Sequence, residues 1–404
     1  MSNWKRDRNK VEVNRRKINL FFQCIMILSI AIVSCPYVTH HATLQKILWI
    51  GIAFAGIVIY KYKCNYYTDE TYLKTMLLFS LPYIFAMVYT LFLGLIRDDN
   101  IGFMMQSITT PIFIVVDALM VWGLICIYKD KILNVISCSL IFAFGVSIVV
   151  RIYKYGSENL RANLELHDVG VAVVPILIVY LFELLIDNNI KLIKDDIIQI
   201  VLLLVVLFIC AKRSAFFSIF AAASMIIIYK LFKNSIKILM TVFCILSMLM
   251  CYLYVFLIRS GLIDFLSQGY GTLSDRYYVW NWFKDSYDFS PLYLGQGFQY
   301  IHKYMEYGNG DGMVNSYGYL HNSILQIFIE TGFWGFTLWF GTILWFIPHY
   351  VKNKMGKKLY EYIVISNIAM VVMYMVDNTL TYPLYIVSYF ISIYCVYSMS
   401  KPKN

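Results

Sequence analysis

The chain has 404 residues, 60% hydrophobic and 14% charged, with a net charge of +10 and a mean hydropathy of +0.65. That balance excludes a soluble globular domain, and it makes the positive charge a matter of membrane sidedness, not of nucleic-acid binding. The nine cysteines include no C-x-x-C pair and nearly all lie in apolar runs, so neither a disulfide framework nor a metal knuckle is expected.

Lys5, Arg6, Arg8, Lys10, Arg15, Arg16 and Lys17 precede an apolar run from Ile18 to Val38. The run is longer than a signal-peptide core and no small-x-small cleavage site follows it, so it reads as a retained first span. Further spans are predicted at 44–60, 73–96, 108–128, 132–152, 169–186, 197–211, 214–232, 236–258, 323–347, 360–380 and 383–399. Each is long enough to cross a hydrocarbon layer of ~30 Å as a helix. The expected fold is therefore an all-α polytopic membrane protein of twelve transmembrane helices, with 1–404 a single integral membrane domain. With the N-terminus in the cytoplasm, most of the 34 Lys and Arg residues fall in the segments on that side, Lys352, Lys354, Lys357 and Lys358 among them. The C-terminus then lies inside as well, and residues 259–323 form one large extracytoplasmic loop between the ninth and tenth spans. Lys212-Arg213-Ser214 interrupts an apolar stretch at 197–232 that is too long for one crossing. A tight helical hairpin with Lys212 and Arg213 at its outer tip is expected there.

No internal repeat and no inverted pair of Gly/Pro-broken spans is visible, which weighs against a transporter. Asp117 lies mid-span, where a lone carboxylate costs about 2.5–3.5 kcal/mol on insertion. It is either part of a proton or substrate pathway or a structural hydrogen-bonding group. Glu183 lies near the inner surface and snorkels. Asp377-Asn378, at the outer end of the eleventh span, either lines a site or solvates a helix end. Among the outer arginines, Arg97 precedes two aspartates, and Arg151 and Arg259 end helices where headgroups are the ordinary partners. Arg161, Arg213 and Arg276 lie in three different outer segments. A planar guanidinium grips a diphosphate bidentately, so their convergence would form an anion clamp.

His321 precedes a legible helix start. Ser323 to Gln326 has capping-box form, with Asn322 an alternative cap. The neighbouring positive end of the helix dipole favours neutral imidazole, which can accept a proton from a sugar hydroxyl. Glu330 is two turns deeper on the same face, either polarising the site through water or serving as a structural acid. Tyr277, Tyr278, Trp280, Trp282 and Phe283 offer rings either for sugar stacking or for anchoring at the membrane interface.

Arg276-Tyr277-Tyr278-Val279-Trp280, then Pro291-Leu292-Tyr293-Leu294-Gly295-Gln296-Gly297, then His321-Asn322-Ser323-Ile324-Leu325 with Glu330, Gly332 and Gly335 resembles the large-loop signature of the O-antigen ligase and polymerase superfamily. Upstream, Ala211-Lys212-Arg213-Ser214-Ala215 is similar to the family's T-x-S-R-G-A element, with Lys212 at the usual Ser and Ser214 at the usual Gly. Arg161 with His167 and Gly170 resembles a second element, with Asp168-Val169 in place of its Pro-Asn. The resemblance covers roughly residues 160–335.

It implies metal-independent glycan transfer without a cofactor, at the outer face of a bacterial cytoplasmic membrane. Arg213 and Arg276 are implied to hold the donor's lipid diphosphate, and His321 to activate the acceptor hydroxyl for one inverting displacement. Arg161, Trp280, Gly295, Gly297, Asn322, Glu330 and Asp377 are candidate substrate-binding positions. The expected partners are a polyprenyl-diphosphate-linked oligosaccharide donor and acceptor and the lipid bilayer, with chain-length regulator and flippase proteins as further candidates and no nucleic acid. A polymerase of O-antigen or capsule repeats is favoured, because the Lys/Asn/Ile/Tyr-rich composition fits an AT-rich surface-polysaccharide gene cluster. The alternatives are a ligase acting on a lipid A-core or protein acceptor and, third, a lipid-linked oligosaccharide transporter.

Overall fold

The computed structural model describes residues 47–55, 70–97, 101–158, 166–186, 194–232, 236–263, 272–317, 319–379 and 382–400, with Cys24 and Val58. The expected first span at 18–38 lies outside these residues but for Cys24, the span at 44–60 is described in part, and Arg161 also lies outside them. The longer helices are α1 (Glu70–Leu78), α2 (Leu81–Arg97), α3 (Ile101–Tyr128), α4 (Ile132–Tyr155), α5 (His167–Ile186), α6 (Lys194–Ile209), α7 (Arg213–Leu231) and α8 (Ile236–Ser260). Three short helices follow: α9 (Thr272–Trp282), α10 (Tyr300–Glu306) and α11 (Gly312–Tyr317). The chain then runs through α12 (Ser323–Phe340), a π-helical turn (Gly341–Phe346), α13 (Ile347–Met355), α14 (Lys357–Tyr374) and α15 (Pro383–Ser400). Among the described residues, seven helical stretches are long and apolar enough to cross a membrane.

The chain divides into two compact units. The first takes Met1–Leu73, Val116–Ala215 and Pro383–Asn404. Its centre is α5, apolar on every face and buried from Val169 to Tyr180, the pattern of a helix surrounded by others. α15 packs along it, and α4 and α6 close its other sides. Lipid tails are as apolar as these side chains, so close packing and hydrogen bonds must hold the bundle together. Close packing shows at Gly123, where a Cβ would come within 2.8 Å of the Ile52 carbonyl. The hydrogen bonds include Tyr72 Oη to the Phe390 carbonyl at 2.6 Å and Tyr180 Oη to Gln199 Oε1 at 2.8 Å. The interruption at 210–212 is a hairpin turn: α6 stops at Ile209, Ala211 takes a left-handed φ of 50°, and α7 starts at Arg213. Gly170 lets α5 approach this turn, since a Cβ there would lie 2.9 Å from Cys210 Cβ.

The second unit, Lys74–Val115 and Phe216–Tyr382, carries the long loop. α12 runs through it, with Trp339 against Tyr83 of α2 (ring centroids 4.6 Å apart) and Phe336 against Tyr252 of α8 (4.9 Å). Ser218 of α7 donates to the Ala369 carbonyl of α14 at 2.6 Å, and Tyr229 Oη donates to buried Glu361 at 2.8 Å. A π-turn widens the helix and frees a carbonyl; the Asn367 amide donates to the carbonyl of Ile343 at 2.8 Å.

Candidate functional site

Two unusual backbone features position the second unit's candidate residues. The first is a break in α12. Gly332 has φ 68° and ψ −175° inside the helix, a combination open only to glycine. A helix broken there leaves the Ile329 and Glu330 carbonyls without their intrahelical donors. The Pro291–Gly297 turn supplies donors from outside: Gln296 N to Ile329 O at 2.9 Å and Gly297 N to Glu330 O at 2.8 Å. The Phe333 amide in turn donates to the Tyr293 carbonyl at 3.0 Å. The backbones meet so closely that a Cβ on Gly295 would lie 2.5 Å from Gly332 N, and one on Gly332 would lie 2.4 Å from Leu294 C. Gly297, at φ 100°, lets the chain turn toward Thr90, whose hydroxyl accepts from Phe298 N at 2.7 Å. The loop glycines and the helix glycine thus form one joint, although the sequence shows them as separate motifs.

The second feature is the end of α14. The helix stops at Tyr374, so the next carbonyls have no intrahelical donors and lie at the negative end of the dipole. Three other segments satisfy them. Tyr254 Oη of α8 donates to Met375 O at 2.7 Å. Arg276 Nη1 of α9 donates to Val376 O at 2.7 Å. Ser323, at the start of α12, donates to Asp377 O through both its amide (3.1 Å) and its hydroxyl (2.8 Å). His321 meets the same segment, with Nδ1 3.3 Å from Asn378 Nδ2. Residues 375–378 therefore fix Arg276 and His321 in one place, which their separation in sequence does not reveal.

His321 is half-buried with a left-handed φ of 51°. A non-glycine residue is held there only by its surroundings, at a cost of roughly 1–3 kcal/mol. On one side the Trp280 indole N–H donates to the Leu320 carbonyl at 2.8 Å. On the other, Asn322 caps α12, its Oδ1 accepting from Leu325 N at 3.0 Å and its Nδ2 donating to Tyr254 Oη at 3.3 Å. The capping-box reading needs correction: Asn322 is the cap, because Ser323 is engaged by Asp377.

Trp280 also differs from a stacking platform. It is 1% exposed, packed at ring centroid distances of 6.4 Å from Tyr254 and 6.3 Å from Tyr277. Glu330, fully buried, turns its Oε1 to the Ile301 amide (3.3 Å) and to Gln326 Nε2 (3.1 Å), tying α10 to α12. Asp377 is fully buried, its Oδ1 accepting from Asn378 N at 2.9 Å and from Tyr382 Oη at 3.3 Å. Arg259 pairs with Asp288 at 3.2 Å. Arg213 belongs to the first unit, exposed at the first position of α7, and Asp117 is 1% exposed within α3. Tyr254 is a residue of this cluster that sequence reasoning did not single out; Asn378 was legible as half of the Asp377-Asn378 pair at the end of an apolar run.

Elsewhere in the loop, Tyr278 Oη of α9 donates to Asp311, which also accepts from Val314 N at 2.7 Å. These bonds hold the Asp311 carboxyl below its usual range and fasten α11 to α9.

No curated protein matches the chain in sequence. Residues 198–340 match the family model described as O-antigen ligase, an interval that contains Arg213, Arg276, the Gly295–Gly332 joint and His321. This segment of the chain is therefore similar to the O-antigen ligase family.

Proposed function

We propose that the protein is a polysaccharide polymerase, moving a polyprenyl-diphosphate-linked glycan chain onto a lipid-linked repeat unit at the outer face of the cytoplasmic membrane. The observation that carries this reading is the shared anchorage of Arg276 and His321 on residues 375–378. A fixed cation and a fixed imidazole in one location suit a displacement with an anionic leaving group and a hydroxyl nucleophile.

In this reading Arg276, held through Nη1, offers its remaining N–H groups to the donor diphosphate. His321 takes the proton from the acceptor hydroxyl, whose oxygen bonds to the anomeric carbon. The bond from that carbon to the diphosphate oxygen breaks, and the electron pair leaves with polyprenyl diphosphate. A single displacement of this kind inverts the anomeric centre. Arg213 is assigned to the same diphosphate from the sequence resemblance and the chemistry of its side chain. Trp280, Asn322, Tyr254 and Asp377 act as supports that fix the backbone around His321 and the segment anchoring Arg276. The joint of Gly295 and Gly297 with Gly332 supports the loop carrying Arg276.

The test is to replace His321 and Arg276 separately by alanine in the producing strain. Each change is expected to abolish long-chain surface polysaccharide while membrane levels of the protein stay normal. Wild-type chain lengths in both variants would overturn the reading. The description of the matched family favours a ligase as the second reading, and a deletion strain separates the two. Loss of a polymerase leaves single repeat units on the surface, whereas loss of a ligase leaves lipid-linked polymer with no surface glycan.

A further inference from the structure

An imidazole acting as a base must offer a lone pair, so its proton must sit on the other ring nitrogen. The His321 ring meets Asn378 through Nδ1, at 3.3 Å from the atom placed as Asn378 Nδ2. Asn378 is 1% exposed, and its backbone amide is tied to Asp377 Oδ1 at 2.9 Å. The two ends of a carboxamide exchange by a half-turn about the terminal bond without moving its plane. With Nδ2 toward the ring, Nδ1 accepts and the proton lies on Nε2, so His321 presents a donor. With Oδ1 toward the ring, Nδ1–H donates and the Nε2 lone pair is open. The backbone on either side of His321 is held, by Trp280 at the Leu320 carbonyl and by the Asn322 cap.

We propose that Asn378 is a positioning residue that selects the tautomer of His321, its Oδ1 holding Nδ1–H so that Nε2 takes the acceptor proton. The inference rests on the base role assigned to His321. After transfer the imidazolium carries protons on both nitrogens, with Nδ1–H still donating to Asn378 Oδ1. Among the described residues, the charged or titratable groups around this anchor include the Asp377 carboxylate, Tyr382 hydrogen-bonded to it, Arg276 on the Val376 carbonyl and Tyr254 beside Asn322. They are common to wild type and variants, so a change confined to position 378 reads the Asn378 contact.

The experiment uses full-length protein in lipid nanodiscs, with polyprenyl-diphosphate-linked repeat units isolated from a strain deleted for this protein. Rates are measured against pH for wild type, Asn378→Leu, Asn378→Asp and His321→Ala. Asn378→Leu keeps the volume but removes the acceptor, and is expected to lower kcat by about a hundredfold with KM little changed. Asn378→Asp retains an acceptor for Nδ1–H and favours the imidazolium, so activity is expected to persist with its acidic limb displaced to higher pH. A wild-type rate in Asn378→Leu, or an Asn378→Asp profile superimposable on wild type, would overturn the proposal. If Asn378→Leu is not recovered folded, the Asn378→Asp profile decides. Full activity in His321→Ala would instead refute the base role itself, so the two failures are distinguishable.

Discussion

Gly332→Ala tests the joint between the loop and α12. At φ 68° and ψ −175° an alanine backbone costs about 1–3 kcal/mol. Its Cβ would also lie 2.4 Å from both Leu294 C and Tyr293 O, so the turn must withdraw. Withdrawal breaks the bonds from Gln296 N, Gly297 N and Phe333 N, each worth about 1 kcal/mol net. The change therefore sets about 4–6 kcal/mol against the joined state. The helix recovers part of this by straightening and reforming its own ladder, while the loop recovers none. Hydrogen exchange should report the difference, with the Gln296 and Gly297 amides exchanging about a hundredfold faster. Gly145→Ala is the control, since its Cβ meets nothing within 4 Å and its helix continues on both sides. Equal exchange at 296 and 297 in the two variants would refute the joint.

Three further outcomes are expected. Tyr254→Phe leaves the Met375 carbonyl and the Asn322 amide without their shared hydroxyl, and thermal unfolding in detergent should show a loss of about 1–3 kcal/mol. Asn322→Ala removes the α12 cap, costing about 1 kcal/mol in the same assay, with a larger fall in transfer rate because His321 loses its clamp. The Asp311 carboxyl is held low in the folded chain by Tyr278 and Val314. Its contribution is therefore present above the ordinary carboxylate range and lost as pH falls through the lowered value. Acidification should lower the protection of the α11 amides relative to their intrinsic exchange rates, and Tyr278→Phe should weaken that pH dependence.

Much of this architecture is legible in the sequence, because apolar runs and their interruptions act locally. The hairpin at 210–212 follows from length alone, since no single crossing holds 197–232. The order of Arg276, the glycine turn and His321 likewise marks the site region. What the sequence hides is partnership across distance. Gly332 reads as part of the motif that begins at His321, and nothing in that pattern shows that the Pro291–Gly297 turn fills the gap it opens. The carbonyls of 375–377 have no side-chain signature, yet they gather Tyr254, Arg276 and Ser323. Ser323 has the form of a cap and loses that role to Asn322 because a residue 54 positions away accepts from its hydroxyl. Trp280 reads as a ring for sugar stacking or for interface anchoring and is instead buried, its N–H donating to the Leu320 carbonyl.

The most direct test of the central claim uses purified full-length protein in nanodiscs with lipid-linked repeat units and no other protein. A ladder of lengthening glycans and release of polyprenyl diphosphate should form with the wild type and be absent with His321→Ala and with Arg276→Ala. A ladder of wild-type length and rate in both variants would contradict the claim that these two anchored side chains carry the transfer.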